Sequence, residues 1–128
     1  ARRRTQGAGR EGRMHEYSIV QALMERIEEQ ARAHRAVAVS RVSVRIGELS
    51  GVEPDLLKSA FDRVREKTVC DAATLQITRV AAQWVCRQCG RDVPAGGVLR
   101  CADCGAPARM SQGDEILLEQ LELEVADV

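Results

Sequence analysis

Apolar side chains recur every four positions after Ser18, and this spacing predicts an amphipathic helix that ends near Arg35. The apolar stripe consists of Ile19, Leu23, Ile27 and Ala31, with Val20 and Met24 beside it. Serine is a favoured N-cap residue, so we expect the helix to begin at Ser18. His15 and Glu16 would then lie just ahead of the helix, where the chain is exposed.

Residues 37–46 carry the shorter period of a strand, because apolar and polar side chains alternate towards the end of this segment. Gly47 ends the predicted strand, and residues 47–51 are expected to form a turn. Pro54 suits the first turn of a second helix, predicted near 53–66. The apolar stripe of that helix consists of Leu57, Phe61 and Val64, with Leu56 and Ala60 beside it.

Two further alternating segments, from Leu75 to about Val85 and over residues 117–125, predict two more strands. Between them the composition changes, because residues 86–110 are rich in Cys, Gly, Pro and Arg. We therefore expect an α+β fold in which two helices pack on a small three-stranded sheet, with a four-cysteine insert between the last two strands. The predicted α/β body comprises residues 14–85 and 111–128, and the insert is a domain of residues 86–110.

Residues 1–13 contain no large apolar side chain, so we expect a disordered basic tail. This segment has five arginines and one glutamate, a net charge of +4, which leaves the rest of this neutral chain at −4. A mildly acidic body argues against nucleic acid as the main partner, because phosphate binding needs a basic face. The chain also has only three aromatic residues on which a base can stack.

No apolar run approaches the length of about 20 residues that a membrane-spanning helix needs, and no apolar stretch follows the N-terminal arginines as in a secretory signal. We expect a cytoplasmic protein that does not bind membranes. Thiols stay reduced in that compartment, so the five cysteines are more plausibly metal ligands than disulfides.

The four cysteines of the insert form two Cys-x-x-Cys-Gly motifs. Two residues between cysteines allow one tight turn to aim both sulfurs at one point, and two such turns complete a tetrahedral four-thiolate site. Zn(II) is the favoured metal and its role is structural, because no coordination position remains open. Iron is the rival metal, and a redox role for the cysteine pairs is weaker. The predicted zinc ligands are Cys86, Cys89, Cys101 and Cys104. Cys70 lacks a neighbouring cysteine and is expected to be an ordinary buried residue.

A resemblance emerges when the motifs are taken together in chain order. They are Met14-His15-Glu16-Tyr17-Ser18-Ile19, Gly47-Glu48-Leu49, Phe61, Ala73-Thr74-Leu75-Gln76-Ile77, the two cysteine motifs, and Gly113-Asp114-Glu115-Ile116-Leu117. In order and spacing they resemble the HypA/HybF family of hydrogenase nickel-incorporation proteins. The resemblance covers about residues 14–128.

This resemblance implies a nickel metallochaperone that is not an enzyme. His15 would be the principal Ni(II) ligand, with the backbone amides of His15 and Glu16 and the Met14 amine around it, and the four cysteines would hold zinc. The implied partners are the nickel-handling GTPase HypB and the large-subunit precursor of nickel–iron hydrogenase, with urease maturation proteins in some bacteria. We expect a monomer or a weak homodimer. Square-planar coordination by nitrogen donors suits Ni(II).

The segment before Met14 departs from the family pattern, in which the chain begins at this methionine and its amine is free. Here the Met14 nitrogen is an amide, which must lose a proton to bind nickel. Either the natural chain starts at Met14, which is our hypothesis, or the nickel site is altered. The alternative function is a zinc-ribbon module that binds proteins or nucleic acids and has no nickel role. A catalytic metal is not indicated, since no ligand set with an open position is present.

Overall fold

The structure is a computed structural model that describes the backbone of residues 4–126 and the side chains of residues 15–126. Its two helices and six strands occur in the order α1 (Arg4–Ala33), β1 (Ala36–Gly47), α2 (Pro54–Val64), β2 (Thr74–Val80), β3 (Gln83–Cys86), β4 (Asp92–Val93), β5 (Ala108–Gln112) and β6 (Ile116–Val125). The described part of the chain divides into two units: the first comprises residues 4–44, 52–77 and 118–126, and the second comprises residues 45–51 and 78–117.

Helix α1 begins at Arg4, so the prediction of a helix start at Ser18 is wrong. Residues 4–13, which were expected to be disordered, are helical, and residues 1–3 lie outside the described part of the chain. A helix that already exists gains one hydrogen bond for each residue added and needs no new nucleus, so it can extend through a segment without apolar side chains. Consequently Met14, His15 and Glu16 lie inside the helix and not ahead of it.

The core of the first unit forms where α1 contacts α2. Most positions of the predicted apolar stripes are buried, as periodicity requires of helices that share a core, whereas Ile19 and Val64 are half-buried and Leu56 is exposed. The buried side chains of this unit include Val20, Leu23, Met24, Ile27, Ala31, Val39, Val42, Val44, Leu57, Ala60 and Phe61. Pro54 occupies the first turn of α2 as predicted, and Glu53 is the N-cap.

The strands form two three-stranded sheets, with the orders β2-β1-β6 and β4-β3-β5. The α+β prediction is therefore confirmed, and the first sheet contains the three strands expected from alternation. The strand predicted from Leu75 to Val85 is divided in two, because β2 ends at Val80 and β3 begins at Gln83. Strands β4 and β5 were not predicted. The second unit, which contains the second sheet, is longer than the predicted insert of residues 86–110.

Candidate metal sites

Two turns of the same construction position the cysteine side chains. In the first turn the Gly90 N–H donates to the carbonyl oxygen of Cys86 at 3.1 Å, and in the second the Gly105 N–H donates to that of Cys101 at 2.9 Å. Both glycines have positive φ angles, 75° and 72°, in the left-handed region that side chains disfavour. The two glycines noted in the sequence thus close turns that direct paired sulfurs towards one point.

The four predicted sulfurs come together. The ligand atoms of Cys86, Cys89, Cys101 and Cys104 all lie within 4.8 Å of one another. The sulfurs of Cys89 and Cys101 are 3.7 Å apart. A tetrahedral zinc site with Zn–S bonds of about 2.3 Å requires sulfurs separated by about 3.8 Å, so this donor set fits Zn(II). Four thiolates fill the tetrahedron and leave no position for a substrate.

Backbone amides support the first cysteine of each pair. The N–H groups of Gln88 and Cys89 donate to the Cys86 sulfur at 3.3 and 3.4 Å. The Cys104 N–H donates to the Cys101 sulfur at 3.4 Å. The hydrogen bond from the Cys89 backbone is the main reason that the pKa of Cys86 falls to about 7. Hydrogen bonding with the Cys89 side chain raises the pKa of Cys104 to about 12. The metal-free cluster therefore favours one thiolate and retains protons that a bound cation displaces.

A small apolar cluster lies under the cysteine turns. Cys86 and Cys101 are buried together with Val93, and the half-buried side chains around them are those of Trp84, Leu99, Ala106 and Ala108. Cys89 and Cys104 are exposed. An ion pair between Arg91 and Asp103 joins the two turns on the surface. This pair was not predicted, although Asp103 lies within the second motif and Arg91 directly follows the first.

Cys70 is buried and free, as predicted for a small apolar residue. Burial, followed by the nearby Glu28 charge, raises the pKa of its thiol to about 11. A protonated buried thiol is a poor metal ligand, because the thiolate is the form that binds metals. Cys70 does not belong to the four-cysteine group.

The structure separates the side chains of the predicted nickel segment. His15 is exposed, Glu16 is buried with 2% of its surface accessible, and the Met14 side chain lies outside the described residues. Glu16 Oε2 accepts a hydrogen bond of 2.9 Å from the backbone N–H of Glu53. Glu53, the N-cap of α2, was not singled out from the sequence. The only signal for it was the N-capping position before Pro54, which does not indicate a contact with α1.

The fold and the site together define the class of protein: an α+β protein with a cluster of four cysteines suited to a closed metal site and an exposed histidine on its first helix. A family profile described as "Hydrogenase/urease nickel incorporation, metallochaperone, hypA" matches residues 14–123. The chain belongs to this HypA family of nickel metallochaperones, whose function is nickel delivery in hydrogenase maturation.

Relatives and solved structures agree with this assignment. The chain is 40% identical over 113 residues to a hydrogenase maturation factor HypA of Shewanella baltica (strain OS185), covering 87% of this chain and 97% of that protein. It is 41% identical over 117 residues to the HypA of Wolinella succinogenes, covering 89% and 98%. The solution structure of the Ni metallochaperone HypA from Helicobacter pylori matches with a TM-score of 0.68 and 32% identity, covering 87% of this chain and 98% of that one.

Among the helices that the structure describes, none has the length and apolar character needed to cross a bilayer.

Proposed function

We propose that this chain binds Ni(II) through His15 and the backbone nitrogens beside it, and that it passes the ion to a nickel–iron hydrogenase precursor. The observation that carries this proposal is the exposure of the His15 side chain within a member of the nickel-incorporation family. A carrier must release its metal to a partner, and an exposed imidazole on the surface suits such an exchange. Imidazole and amide nitrogens are donors that Ni(II) accepts in a square plane.

Because His15 lies inside a helix, nickel can bind the backbone nitrogens beside it only when helical hydrogen bonds do not occupy them. In an α-helix each backbone N–H donates to the carbonyl four residues earlier, so the amides of His15 and Glu16 are hydrogen-bonded when helix α1 continues upstream. If a chain begins at Met14, those amides fall in the first turn, where no such carbonyl exists. The methionine nitrogen is then also a free amine. We therefore expect the form that begins at Met14 to bind nickel more tightly than the longer chain.

The four cysteines have a different role in the proposal. They bind Zn(II) in a closed site that stabilises the second unit and takes no part in nickel exchange. A closed structural metal and an exposed carrier site give no catalytic centre, so the protein acts by delivery and is not an enzyme. The zinc ion supplies rigidity to a small unit with few apolar side chains.

The partners of the proposed delivery are the GTPase HypB and the hydrogenase large-subunit precursor, with urease maturation proteins as further clients in some bacteria. The transfer takes place in the cytoplasm, and the protein acts as a monomer or a weak homodimer. We expect this chain to form a complex with HypB that depends on nickel, and we expect His15→Ala to abolish that complex.

The proposal is tested in a bacterium that lacks its own HypA and therefore matures its hydrogenase poorly. Wild-type protein should restore hydrogenase activity, whereas His15→Ala should not. His34→Ala is the matched control, because His34 is also exposed but lies just beyond the other end of α1. Equal restoration by wild-type and His15→Ala proteins, at equal protein levels, would contradict the role of His15.

A further inference from the structure

Glu16 is a charged residue whose side chain is buried. Among the residues whose side chains the structure describes, no other polar or charged residue is buried to this extent, since only 2% of the Glu16 surface is accessible. An apolar residue is the ordinary choice at such a depth, because burial of a charged group is costly without compensating contacts. The neighbouring His15 is exposed. Helix α1 therefore presents the side chain of the proposed nickel ligand to solvent and the next side chain to the interior.

One oxygen of this carboxylate has a defined partner. Oε2 accepts a hydrogen bond of 2.9 Å from the backbone N–H of Glu53, a residue 37 positions later in the chain. Glu53 is the N-cap of α2, and its own side chain accepts a hydrogen bond from the Asp55 N–H. The positive end of the α2 dipole favours a negative group at this place. The Glu16 carboxylate thus connects helix α1 to the N-terminal end of α2.

The other oxygen, Oε1, is buried and finds no hydrogen-bond partner among the described residues. A buried acceptor without a partner destabilises a fold, so it calls for an explanation. Packing alone does not supply one, since a methionine or leucine would fill similar space at lower cost. The presence of an acid at this position therefore indicates that the bond to α2 serves a purpose beyond core packing.

We propose that Glu16 is a positioning residue for nickel binding, which fixes the backbone next to His15 to the start of α2 and does not ligate nickel with its side chain. This inference rests on the proposed function of His15. A carboxylate without access to solvent, with one oxygen engaged by a backbone amide, is poorly placed to ligate an ion held by an exposed imidazole. Residues that orient a ligating segment are needed nearly as much as the ligands themselves.

The test compares Glu16→Gln and Glu16→Ala in the zinc-loaded chain that begins at Met14. The glutamine amide oxygen can still accept from the Glu53 N–H, whereas alanine offers no acceptor. We expect Glu16→Ala to weaken nickel binding about tenfold or more, and Glu16→Gln to stay close to wild type. The visible absorption bands of bound Ni(II) should be the same in wild type and Glu16→Gln, because the ligands are unchanged. Glu25→Gln, an exposed glutamate on the same helix, controls for the loss of one charge.

Hydrogen exchange of the Glu53 amide, measured without nickel, separates this inference from the function on which it rests. The amide should be protected in wild type and Glu16→Gln, and should exchange faster in Glu16→Ala. If Glu16→Gln shifts the nickel absorption bands or binds as weakly as Glu16→Ala while the Glu53 amide stays protected, Glu16 is a ligand and the inference is overturned. Failure of the proposed function would look different. In that case His15→Ala would bind nickel as well as the wild type does, or the wild type itself would not bind nickel.

Discussion

Gly47 and Gly113 lie where two backbone segments of the second unit touch. The Gly47 N–H donates to the Glu115 carbonyl at 2.9 Å, and the Leu49 N–H donates to the Gly113 carbonyl at 2.7 Å. Beside them, the Glu48 carboxylate accepts the Ala82 N–H at 2.8 Å. Glu48 was expected to belong to a simple turn, but the structure gives it a bracing role between two backbone segments. The contact explains the glycine at position 47, whereas at Gly113 a side chain would meet the backbone of Ala82.

Substitution of Gly47 by alanine should therefore destabilise the second unit. A Cβ atom there would overlap the backbone carbonyl group of Gly113, and neither backbone can yield cheaply. We expect Gly47→Ala to lower the free energy of unfolding by about 2–3 kcal/mol, measured by chemical denaturation of the zinc-loaded protein. Gly97→Ala is the matched control, because its Cβ would meet no atom within 4 Å. Equal stability of the two variants would show that the close approach is absent in solution.

The cysteine pKa values predict how zinc uptake depends on pH. Backbone hydrogen bonding lowers the pKa of Cys86 from its usual 9.0 to about 7, whereas hydrogen bonding with the Cys89 side chain raises the pKa of Cys104 to about 12. A thiol that carries a proton must release it when zinc binds, so the affinity for zinc should fall as the pH is lowered from 8 to 6. Competition with a zinc chelator of known proton affinity measures this change. A zinc affinity that does not depend on pH in this range would contradict proton release on binding.

At the scale of secondary structure, sequence patterns located most elements but not all of their ends. Pro54 and the stripe through Leu57 and Phe61 identified α2, because capping and periodicity are local properties. The predicted start of α1 was wrong, because a residue suited to capping, such as Ser18, permits a helix start without requiring one, and no proline precedes it. Strand β4 has only two residues, too few to show a period. The spacing of the cysteines was enough to predict the four-sulfur cluster, whereas the contact of Glu16 with Glu53 spans 37 positions and leaves no local signal.

The apolar cluster of the second unit is too small to stabilise this unit alone, so we expect the bound metal to hold its strands and turns in place. Cys86→Ser removes one zinc ligand and a buried member of that cluster. We expect residues 78–117 to become sensitive to limited proteolysis in this variant, whereas the core that α1 and α2 share resists cleavage. Cys70→Ala is the control, because Cys70 is buried outside the cysteine group. A protease-resistant second unit in Cys86→Ser would refute the structural role of zinc.

At the scale of the whole molecule, the two proposed metal sites belong to different structural settings. The four cysteines proposed as zinc ligands are brought together by two local turns and would fill all four coordination positions, which suits a permanent structural ion. His15 is a single exposed side chain on a helix, which suits an ion that must leave again. The family assignment accounts for both, because nickel incorporation needs a stable fold and a releasable cargo.

The most direct measurement is a calorimetric titration of Ni(II) into the zinc-loaded chain that begins at Met14, beside its His15→Ala and His34→Ala variants. The account predicts binding of about one nickel per chain in wild type and His34→Ala, and its loss in His15→Ala, because a square-planar site cannot lose its imidazole without a large fall in affinity. Equal nickel binding by wild type and His15→Ala would contradict the account and place the nickel site elsewhere in the chain.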